Sequence, residues 1–356
     1  MGPDSDHVHV WEQIERGSSG SVSIVISEGY SGIDIKIPIY VWRGEEDGPT
    51  VAVTAAVHGD EINGTGTIRH IIREQPFELK AGTLVMVPVI NMMGFERHSR
   101  YLPDRRDLNR SFPGSKEGSL ASRMARSFFD QVIRGCDYCI DLHTAAVRRT
   151  NFPNVRADMD NEQLAAFANA FGASLIVDSK GPQGSLRASA CEIGCATLIL
   201  EAGEVWKVEA GVVEYAVRGI MNCLCFLEMI DGEIVEPAFR IETKTTKWIR
   251  AAQGGFLEFH VSPGDIVRKD QALATNTDLI GEHQNLIVAP ETGVVLGMTT
   301  LPSVAPGDPV CHLALPRKSA VKHVERAVDA LDEDSLHERV RLELARSVRV
   351  VESDPD

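Results

Sequence analysis

Four residues whose side chains bind metals or transfer protons follow apolar runs that are typical of buried strands. These residues are His58 with Glu61, His143, and Glu201. Active sites in open α/β sheets lie outside the carboxyl ends of the strands, so we expect these side chains to meet at one rim of a sheet. Two imidazoles and one carboxylate suit zinc, and catalytic zinc sites combine three protein ligands with one open position. The pattern therefore predicts a zinc site at that rim, with a further carboxylate nearby.

A lone histidine at a strand end is more often a structural residue than a metal ligand, whereas the pair His58-x-x-Glu61 taken by itself leaves both interpretations open. The coincidence of three such strand ends favours the metal site. Glu201 is favoured over Glu204 as the base because it directly follows its apolar run. Asp141 precedes His143 by two residues, so on a strand the two side chains share a face. Asp141 could orient the imidazole or could equally form an ordinary cap or salt bridge.

The composition is that of a globular protein and excludes several classes of function. The 356 residues are 43% hydrophobic, and the formal net charge of −15 argues against a surface for nucleic acid or anionic membranes. No run approaches the roughly 20 apolar residues of a membrane span, and the N-terminal segment lacks the pattern of a signal peptide. Seven cysteines without a disulfide framework indicate reduced thiols and a cytoplasmic protein.

Apolar runs and turn signals predict strands that alternate with helices over residues 1–235. Strands are expected in a β-rich lead-in at 7–43 and at 51–57, 82–90, 136–142, 175–177 and 196–200, with helices at 64–73, 119–133, 161–171 and 211–229 and a loop at 145–160. This alternation predicts an α/β domain with a central sheet.

The character of the sequence changes after residue 235. From 236 to 316, short β-like runs alternate with turn signals, which predicts a small all-β barrel or sandwich domain. Its glycine and proline pattern also resembles biotinyl and lipoyl carrier domains, but 275–284 contains no lysine to modify, so we interpret the domain as a cover that narrows the site. The charged segment 317–356 has helical apolar spacing and predicts two short surface helices.

The remaining cysteines and histidines are interpreted as structural. Cys136-x-x-Cys139 has half of a zinc-ribbon pattern, but it lies in an apolar strand without a second pair, so both thiols are expected to be buried. Five histidines have no assigned role and are expected on the surface or in packing: His7, His9, His260, His283 and His312.

Five motifs together resemble the succinylglutamate desuccinylase/aspartoacylase family, within the zinc carboxypeptidase superfamily. They are HGDE at 58–61, Asn91, RDLNRSFPG at 106–114, DLHT at 141–144 and LEAGE at 200–204. The motifs cover roughly residues 50–230 in the family's order, and it is their combination that is specific. The resemblance implies a zinc-carboxypeptidase-like α/β/α domain with a central mixed twisted sheet, a small C-terminal all-β domain, and one zinc ion.

The resemblance also implies roles for individual residues. His58, Glu61 and His143 match the zinc ligands. Glu201 matches the catalytic glutamate, which takes a proton from zinc-activated water and passes it to the leaving amine. Asp107 matches an acid that orients one of the zinc-bound histidines.

Substrate contacts are implied for a segment rich in arginine. Asn109 and Arg110 match the pair that holds the substrate's carboxylate, and a guanidinium suits this task because it binds both oxygens in plane. One further arginine should stabilise the oxyanion. Arg100 precedes a tyrosine as in aspartoacylases, but the chain is longer between it and the DLNR motif, so Arg106 is an alternative and Arg105 is also nearby.

The sequence therefore predicts a zinc-dependent amidohydrolase that removes an acyl group from an N-acyl amino acid or a related small carboxylated amide. A desuccinylase and a deacetylase of the N-acetyl-diaminobutyrate type both fit, and a carboxypeptidase or peptidoglycan amidase would use the same site. A non-catalytic binding protein on the same fold is disfavoured, because ligands, base and carboxylate-binding pair are all present. The expected partners are a small N-acyl substrate and further copies of the chain, through the tail or the β domain.

Overall fold

The computed structural model describes residues 9–29, 31–317, 324–328, 330–332, 334–348 and 350. In this part of the chain, thirteen strands form one mixed sheet and four form a second sheet. The strands are β1 Ser18–Glu28, β2 Asp34–Arg43, β3 Glu46–Ala55, β4 Ala81–Val87, β5 Tyr138–His143, β6 Arg149–Ala157, β7 Leu175–Asp178, β8 Ala196–Glu204, β9 Ile241–Thr243, β10 Thr246–Arg250, β11 Gly255–Phe259, β12 Ile266–Val267, β13 Ala272–Thr277, β14 Gln284–Val288, β15 Gly293–Thr299, β16 Ser303–Val304 and β17 Pro309–Ala314.

Helices follow most of the central strands. They are α1 Asn63–Glu74, α2 Met92–Phe95, α3 Leu120–Gln131, α4 Glu162–Ala170, α5 Leu186–Glu192, α6 Ala210–Phe226 and α7 Leu336–Ala345, with short 3-10 helices at Val10–Gln13, Leu108–Arg110 and Ile133–Gly135. Residues 324–328 are also helical. Among the residues described, none of the helices has both the length and the apolar character needed to span a membrane.

The centre of the large sheet consists of the parallel strands β4, β3, β5 and β8, in that order. Their alternate side chains pack into two apolar cores, one on each face of the sheet. Helices α1, α4, α6 and α7 cover one face, and α3 and α5 cover the other. Parallel strands that are buried on both faces have continuous apolar sequences, and these strands could therefore be predicted from the sequence. The α/β/α layers and the mixed central sheet confirm the predicted fold class.

Strand β3 ends two residues before its apolar run, for which the sequence predicts a strand to residue 57. The strand ends at Ala55, and Ala56 takes a left-handed backbone conformation with φ of 49°. The backbone N–H groups of Ile90 and Asn91 donate to the carbonyls of Ala55 and Ala56, which holds the chain in this turn. A non-glycine residue in this region is strained by about 1–3 kcal/mol, and such strain concentrates at ligand-binding sites. The turn directs the chain out of the sheet just before His58.

The loop predicted at 145–160 is wrong, because strand β6 occupies Arg149–Ala157. β6 pairs with β8 on one side and with β15 on the other, and both pairings are antiparallel. Pro153 cannot donate a ladder hydrogen bond, and the register of β6 against β8 shifts between Asn151 and Asn154, on either side of this proline. Proline and asparagine are uncommon in strands, so the apolar periodicity of this segment did not predict one.

Strands from the C-terminal segment are divided between the two sheets. β15, β17 and β10 extend the large sheet beyond β6, whereas β14, β13, β11 and β16 form the second sheet. A small all-β unit is therefore present, but part of it continues the central sheet. The predicted domain boundary after residue 235 stays a prediction. In the predicted tail, residues 318–323, 329, 333, 349 and 351–356 lie outside the described residues.

Helix α7 docks onto the α/β unit through an apolar stripe and a cap. Leu336, Val340 and Leu344 are buried in the core beneath α6. The carboxylate of Glu343 accepts hydrogen bonds from the backbone N–H groups of Ala210 (3.0 Å) and Gly211 (2.7 Å), at the N-terminus of α6. The first N–H groups of a helix have no intrahelical partner, so this carboxylate stabilises α6 from another element.

We expect Leu344→Ala to lower the free energy of unfolding by about 2–5 kcal/mol, because it deletes a fully buried side chain. Leu342 lies two residues earlier in α7 and is 51% exposed, so Leu342→Ala is a matched control with an expected change within about 0.5 kcal/mol. Urea unfolding followed by circular dichroism measures both values. Equal effects of the two substitutions would show that α7 is not anchored as described.

Candidate active site

Three adjacent strands, β3, β5 and β8, bring His58, His143 and Glu201 to one side of the sheet. β5 lies between β3 and β8, and the pairing of His143 with Glu201 places these residues side by side. His58 follows β3 after the turn at Ala56. A side chain on Gly59 would collide with the backbone of Gly94 at 2.1 Å, so only glycine lets this turn pack against the neighbouring loop.

His58, Glu61 and His143 converge into one buried cluster. The Glu61 carboxylate lies between the two imidazoles, with Oε1 2.6 Å from Nδ1 of His58 and Oε2 2.9 Å from Nδ1 of His143. The candidate ligand atoms lie within 4.8 Å of one another, and the three residues are at most 6% exposed. The three predicted metal ligands are thus brought together in a group that could hold a metal ion.

Each imidazole has a second carboxylate on its far side. Nε2 of His58 lies 3.2 Å from Asp107, and Nε2 of His143 lies 2.9 Å from Asp141. A carboxylate at Nε2 keeps the proton there and leaves the Nδ1 lone pair for a metal, which is the usual companion of a metal-binding histidine. The hydroxyl of Thr54 donates to Asp141 at 2.7 Å and fixes this carboxylate in turn. Asp107 and Asp141 thus contact the two imidazoles, and the orienting role expected for them stays a prediction.

The carboxylates make this cluster attract positive charge. Burial disfavours a charged His143, yet Asp141 and Glu61 raise the pKa of its imidazole well above the usual value. Burial would likewise raise the pKa of Glu61, but the imidazoles of His58 and His143 hold it below its usual range. A divalent cation would supply the charge that protons otherwise supply, so metal affinity should fall as the pH is lowered.

Of the candidate oxyanion arginines, only Arg100 reaches the cluster. Its guanidinium donates to Glu61 Oε1 at 3.2 Å and to Asp107 Oδ2 at 3.0 Å, and it lines the cavity above the cluster. Arg105 and Arg106 are exposed and do not line this cavity. The role predicted for Arg100 or Arg106 stays a prediction, and position favours Arg100.

Glu201 faces the same cavity from within β8, which continues to Glu204 beyond the predicted strand end at residue 200. Asn151 on β6 donates to its Oε2 at 3.0 Å, and the Arg156 guanidinium lies 3.6 Å from its Oε1. The alternative base, Glu204, does not line the cavity, because Thr300 donates to it at 2.7 Å and Lys207 forms an ion pair with it. The position of Glu201 is therefore compatible with a base.

Asn109 and Arg110 line another side of the cavity. They lie in the 3-10 helix Leu108–Arg110, which begins with a hydrogen bond from Asn109 N–H to the Asp107 carboxylate. The side-chain carbonyl of Asn109 accepts from the N–H of Leu186 at 2.8 Å, which ties this helix to α5. One short segment thus carries an acid that touches His58 and two residues that face the cavity.

The cavity has a volume of about 260 Å³. Several of the residues that line it were not predicted from the sequence. These are Arg149, Asn151, Arg156, Arg187, Trp248 and His312. Three of them lie on β6, which was predicted as a loop. His312 was expected on the surface or in packing. Its ring stacks on that of Trp248 with 4.3 Å between the ring centroids, and the pair forms part of the cavity wall. Both belong to the C-terminal segment.

The lining is strongly cationic for a protein with a formal net charge of −15. Five arginines face the cavity, whereas its only acidic residues within the described chain are Glu61 and Glu201. Arg187 is buried and donates to the carbonyl of Ser179 at 2.8 Å, but its Nε has no hydrogen-bond partner among the described residues. Burial and the nearby Arg156 lower the pKa of Arg187 to about 10. This guanidinium is available for an anionic group in the cavity.

Comparison with known proteins gives consistent results. The family description "Succinylglutamate desuccinylase/Aspartoacylase catalytic domain" matches residues 47–227. The N-alpha-acetyl-L-2,4-diaminobutyric acid deacetylase of Halomonas elongata is 28% identical over 261 residues, which cover 69% of this chain and 75% of that protein.

Solved structures extend the similarity beyond the catalytic segment. A succinylglutamate desuccinylase/aspartoacylase from Rhodobacter sphaeroides is 26% identical, with a TM-score of 0.73 over 84% of this chain and 96% of that one. The product-bound ectoine utilization protein EutE (DoeB) from Ruegeria pomeroyi is 22% identical, with a TM-score of 0.74 over 85% of this chain and 97% of that one, which shows the shared fold.

Proposed function

The chain belongs to the succinylglutamate desuccinylase/aspartoacylase family of amide-bond hydrolases, and from this we propose that it is a zinc-dependent deacylase of small N-acyl amino acids. The observation that carries the proposal is the convergence of His58, Glu61 and His143 beside Glu201 and several arginines in a single cavity. A cavity of about 260 Å³ suits a small amide better than a peptide or a peptidoglycan strand.

The donor set of the cluster fits zinc. Nδ1 of His58, Nδ1 of His143 and the Glu61 carboxylate provide two nitrogen ligands and one oxygen ligand, the set that catalytic zinc sites use with one position left open. Zinc in this position would lower the pKa of a water molecule towards about 7 and polarise the scissile carbonyl. Asp107 and Asp141 would keep the two imidazoles in the metal-binding tautomer.

Glu201 would act as the general base and then as the acid. Its carboxylate would take a proton from the attacking water and pass it to the amine as the amide bond breaks, which requires hydrogen-bond reach to both. Asn151 holds Oε2 at 3.0 Å and thereby orients the carboxylate. Arg156 is the nearest cation, at 3.6 Å from Oε1.

Arginines would bind the charges of the substrate. Arg100, which already touches Glu61 and Asp107, would stabilise the negative charge that develops on the acyl oxygen. Asn109 and Arg110 would hold the carboxylate of the amino acid. The remaining arginines of the lining exceed the needs of one carboxylate, so we propose a substrate with a second anionic group in preference to one with an additional ammonium group.

A panel of N-acyl amino acids tests this function with the zinc-loaded protein. We expect kcat/KM for N-acetylaspartate or N-succinylglutamate to exceed that for N-acetyl-2,4-diaminobutyrate by about tenfold or more, because each charge pair in a desolvated site contributes roughly 1.5–3 kcal/mol. Hydrolysis of none of the panel would contradict the deacylase function. A preference for the diaminobutyrate compound would contradict only the proposed second anionic group.

Substitution of Arg187 by glutamine tests the second anionic group separately. We expect KM for a dianionic substrate to rise about 10–100-fold, while kcat/KM for a substrate with one carboxylate changes by less than about threefold. The matched control is Arg105→Gln, since Arg105 is an exposed arginine outside the cavity. Equal losses for both substrate types would indicate that Arg187 serves only the structure of the site.

A further inference from the structure

The tip of the β13–β14 hairpin displays apolar side chains to solvent. Leu279 is 90% exposed and Ile280 is 75% exposed, the two highest values for large hydrophobic residues in the described part of the chain. Isolated exposed apolar residues are common, but two adjacent ones at a protruding tip indicate a contact surface. Acidic residues flank them, Asp278 on one side and Glu282 on the other.

The tip is held in one conformation by its own hydrogen bonds. The Asp278 carboxylate accepts from the N–H groups of Ile280 (3.1 Å) and Glu282 (3.0 Å), and it lies 2.8 Å from Nδ1 of His283. Gly281 supplies the left-handed conformation that the turn requires, with φ of 79°. Because the loop is already ordered, little conformational entropy is lost when the tip binds a partner.

A separate groove of about 640 Å³ lies along the outer side of α1, away from the cavity of the active site. Its apolar wall comprises Ile62, Met92, Phe95 and Val208. Gly66 lines it too, and a methyl group at Gly66 would meet Val208 at 2.5 Å. The groove has room for two aliphatic side chains.

The rim of this groove is mainly cationic. Arg69 and Arg73 are exposed one turn apart on α1, and within the described residues neither guanidinium has an ion-pair partner. A single acid, Glu74, also borders the groove. The hairpin tip, with apolar residues between two acids, is complementary to the groove in both polarity and charge.

We propose that the tip of the β13–β14 hairpin of one copy of the chain binds in the α1 groove of a second copy. Leu279 and Ile280 enter the apolar groove, and Glu282 pairs with Arg69 or Arg73 at the rim. If both copies exchange tips, the contact closes a two-fold dimer, whereas a one-way contact would produce open chains. A two-fold exchange buries two tips in two grooves and so doubles the contact area of a one-way contact.

Sedimentation velocity over a concentration series tests the contact. We expect wild-type protein to sediment as a dimer at micromolar concentration, and the double variant Leu279→Asp/Ile280→Asp to raise the dimer dissociation constant at least about 100-fold. Ile33→Asp is the matched control, since Ile33 is 70% exposed and lies elsewhere. Circular dichroism and the deacylase assay show that each variant is folded.

A charge exchange then tests which surfaces meet. The variant Glu282→Arg should be monomeric, and so should Arg69→Glu/Arg73→Glu, because each sets like charges against one another. An equimolar mixture of these two variants should form dimers again. In the mixed dimer, the basic tip of the first variant meets the acidic groove of the second, and the acidic tip of the second meets the basic groove of the first. A monomeric wild type, dimers that persist in the tip variants, or a mixture that stays monomeric would each overturn the proposal. Loss of the dimer in Leu286→Asp alone would assign the interface to the exposed edge of β14 and would overturn it as well.

Discussion

Replacement of Glu201 by glutamine is expected to lower kcat by about 10²–10⁴-fold, the usual contribution of a general base. The amide has the size of the carboxylate and can still hydrogen-bond to Asn151, but it does not accept a proton from water at neutral pH. Bound zinc and the free energy of unfolding should be unchanged, because Glu201 is not among the three clustered ligands. Timed product assays measure kcat, elemental analysis measures bound zinc, and urea unfolding measures the free energy of unfolding.

Glu204 provides the control for this experiment. It lies three residues later on the same strand, but its carboxylate is bound to Thr300 and Lys207 outside the cavity. We expect Glu204→Gln to keep kcat within about threefold. Full activity of Glu201→Gln would remove Glu201 from the mechanism, and loss of zinc in that variant would give it a different role.

The second large effect is expected from removal of one metal ligand. His143→Ala should lose zinc and reduce deacylation to the background rate, because a site with only two protein ligands binds zinc much more weakly. Zinc that binds only the folded protein stabilises it by about 4 kcal/mol at a free concentration 1,000 times its dissociation constant. Chelation should therefore lower the unfolding temperature of the wild type and leave that of His143→Ala unchanged.

His312 separates a metal ligand from a histidine that merely lines the cavity. It stacks on Trp248 and lies outside the clustered ligand set. His312→Ala should keep one zinc ion per chain and the response of the unfolding temperature to chelation, although its substrate affinity can change. Retention of zinc by His143→Ala, or loss of zinc by His312→Ala, would contradict the assignment of the ligands.

The residues of the metal cluster could be predicted because each follows a strand with a strong local signal. β3, β5 and β8 are buried on both faces and therefore read as apolar runs, and the rim of a parallel sheet collects whatever follows them. The motifs around His58, His143 and Glu201 then provided the family resemblance. Local sequence and sheet geometry agree at these positions.

The walls of the cavity could not be predicted in the same way. Arg149, Asn151 and Arg156 lie on β6, whose Pro153 and polar residues are typical of a loop, and the strand forms because β8 and β15 bind it from both sides. Trp248 and His312 lie more than 100 residues after His143 in the sequence and reach the site through strands β10 and β17 at the end of the large sheet. Such long-range pairing leaves no trace in local periodicity.

The sequence could not distinguish the three candidate oxyanion arginines for a similar reason. Arg100, Arg105 and Arg106 lie within one polar segment, and their spacing does not indicate which side chain turns inward. The structure separates them through Asp107, whose carboxylate receives a hydrogen bond from Arg100 at 3.0 Å and so holds it over the cluster. The acid that contacts His58 thus also holds Arg100 in place.

Crystals of the zinc-loaded protein, measured on both sides of the zinc absorption edge, test the central claim most directly. We expect one anomalous peak per chain, about 2.0–2.2 Å from Nδ1 of His58, Nδ1 of His143 and a carboxylate oxygen of Glu61. A peak bound by other residues, or no peak in crystals of fully active protein, would contradict the account.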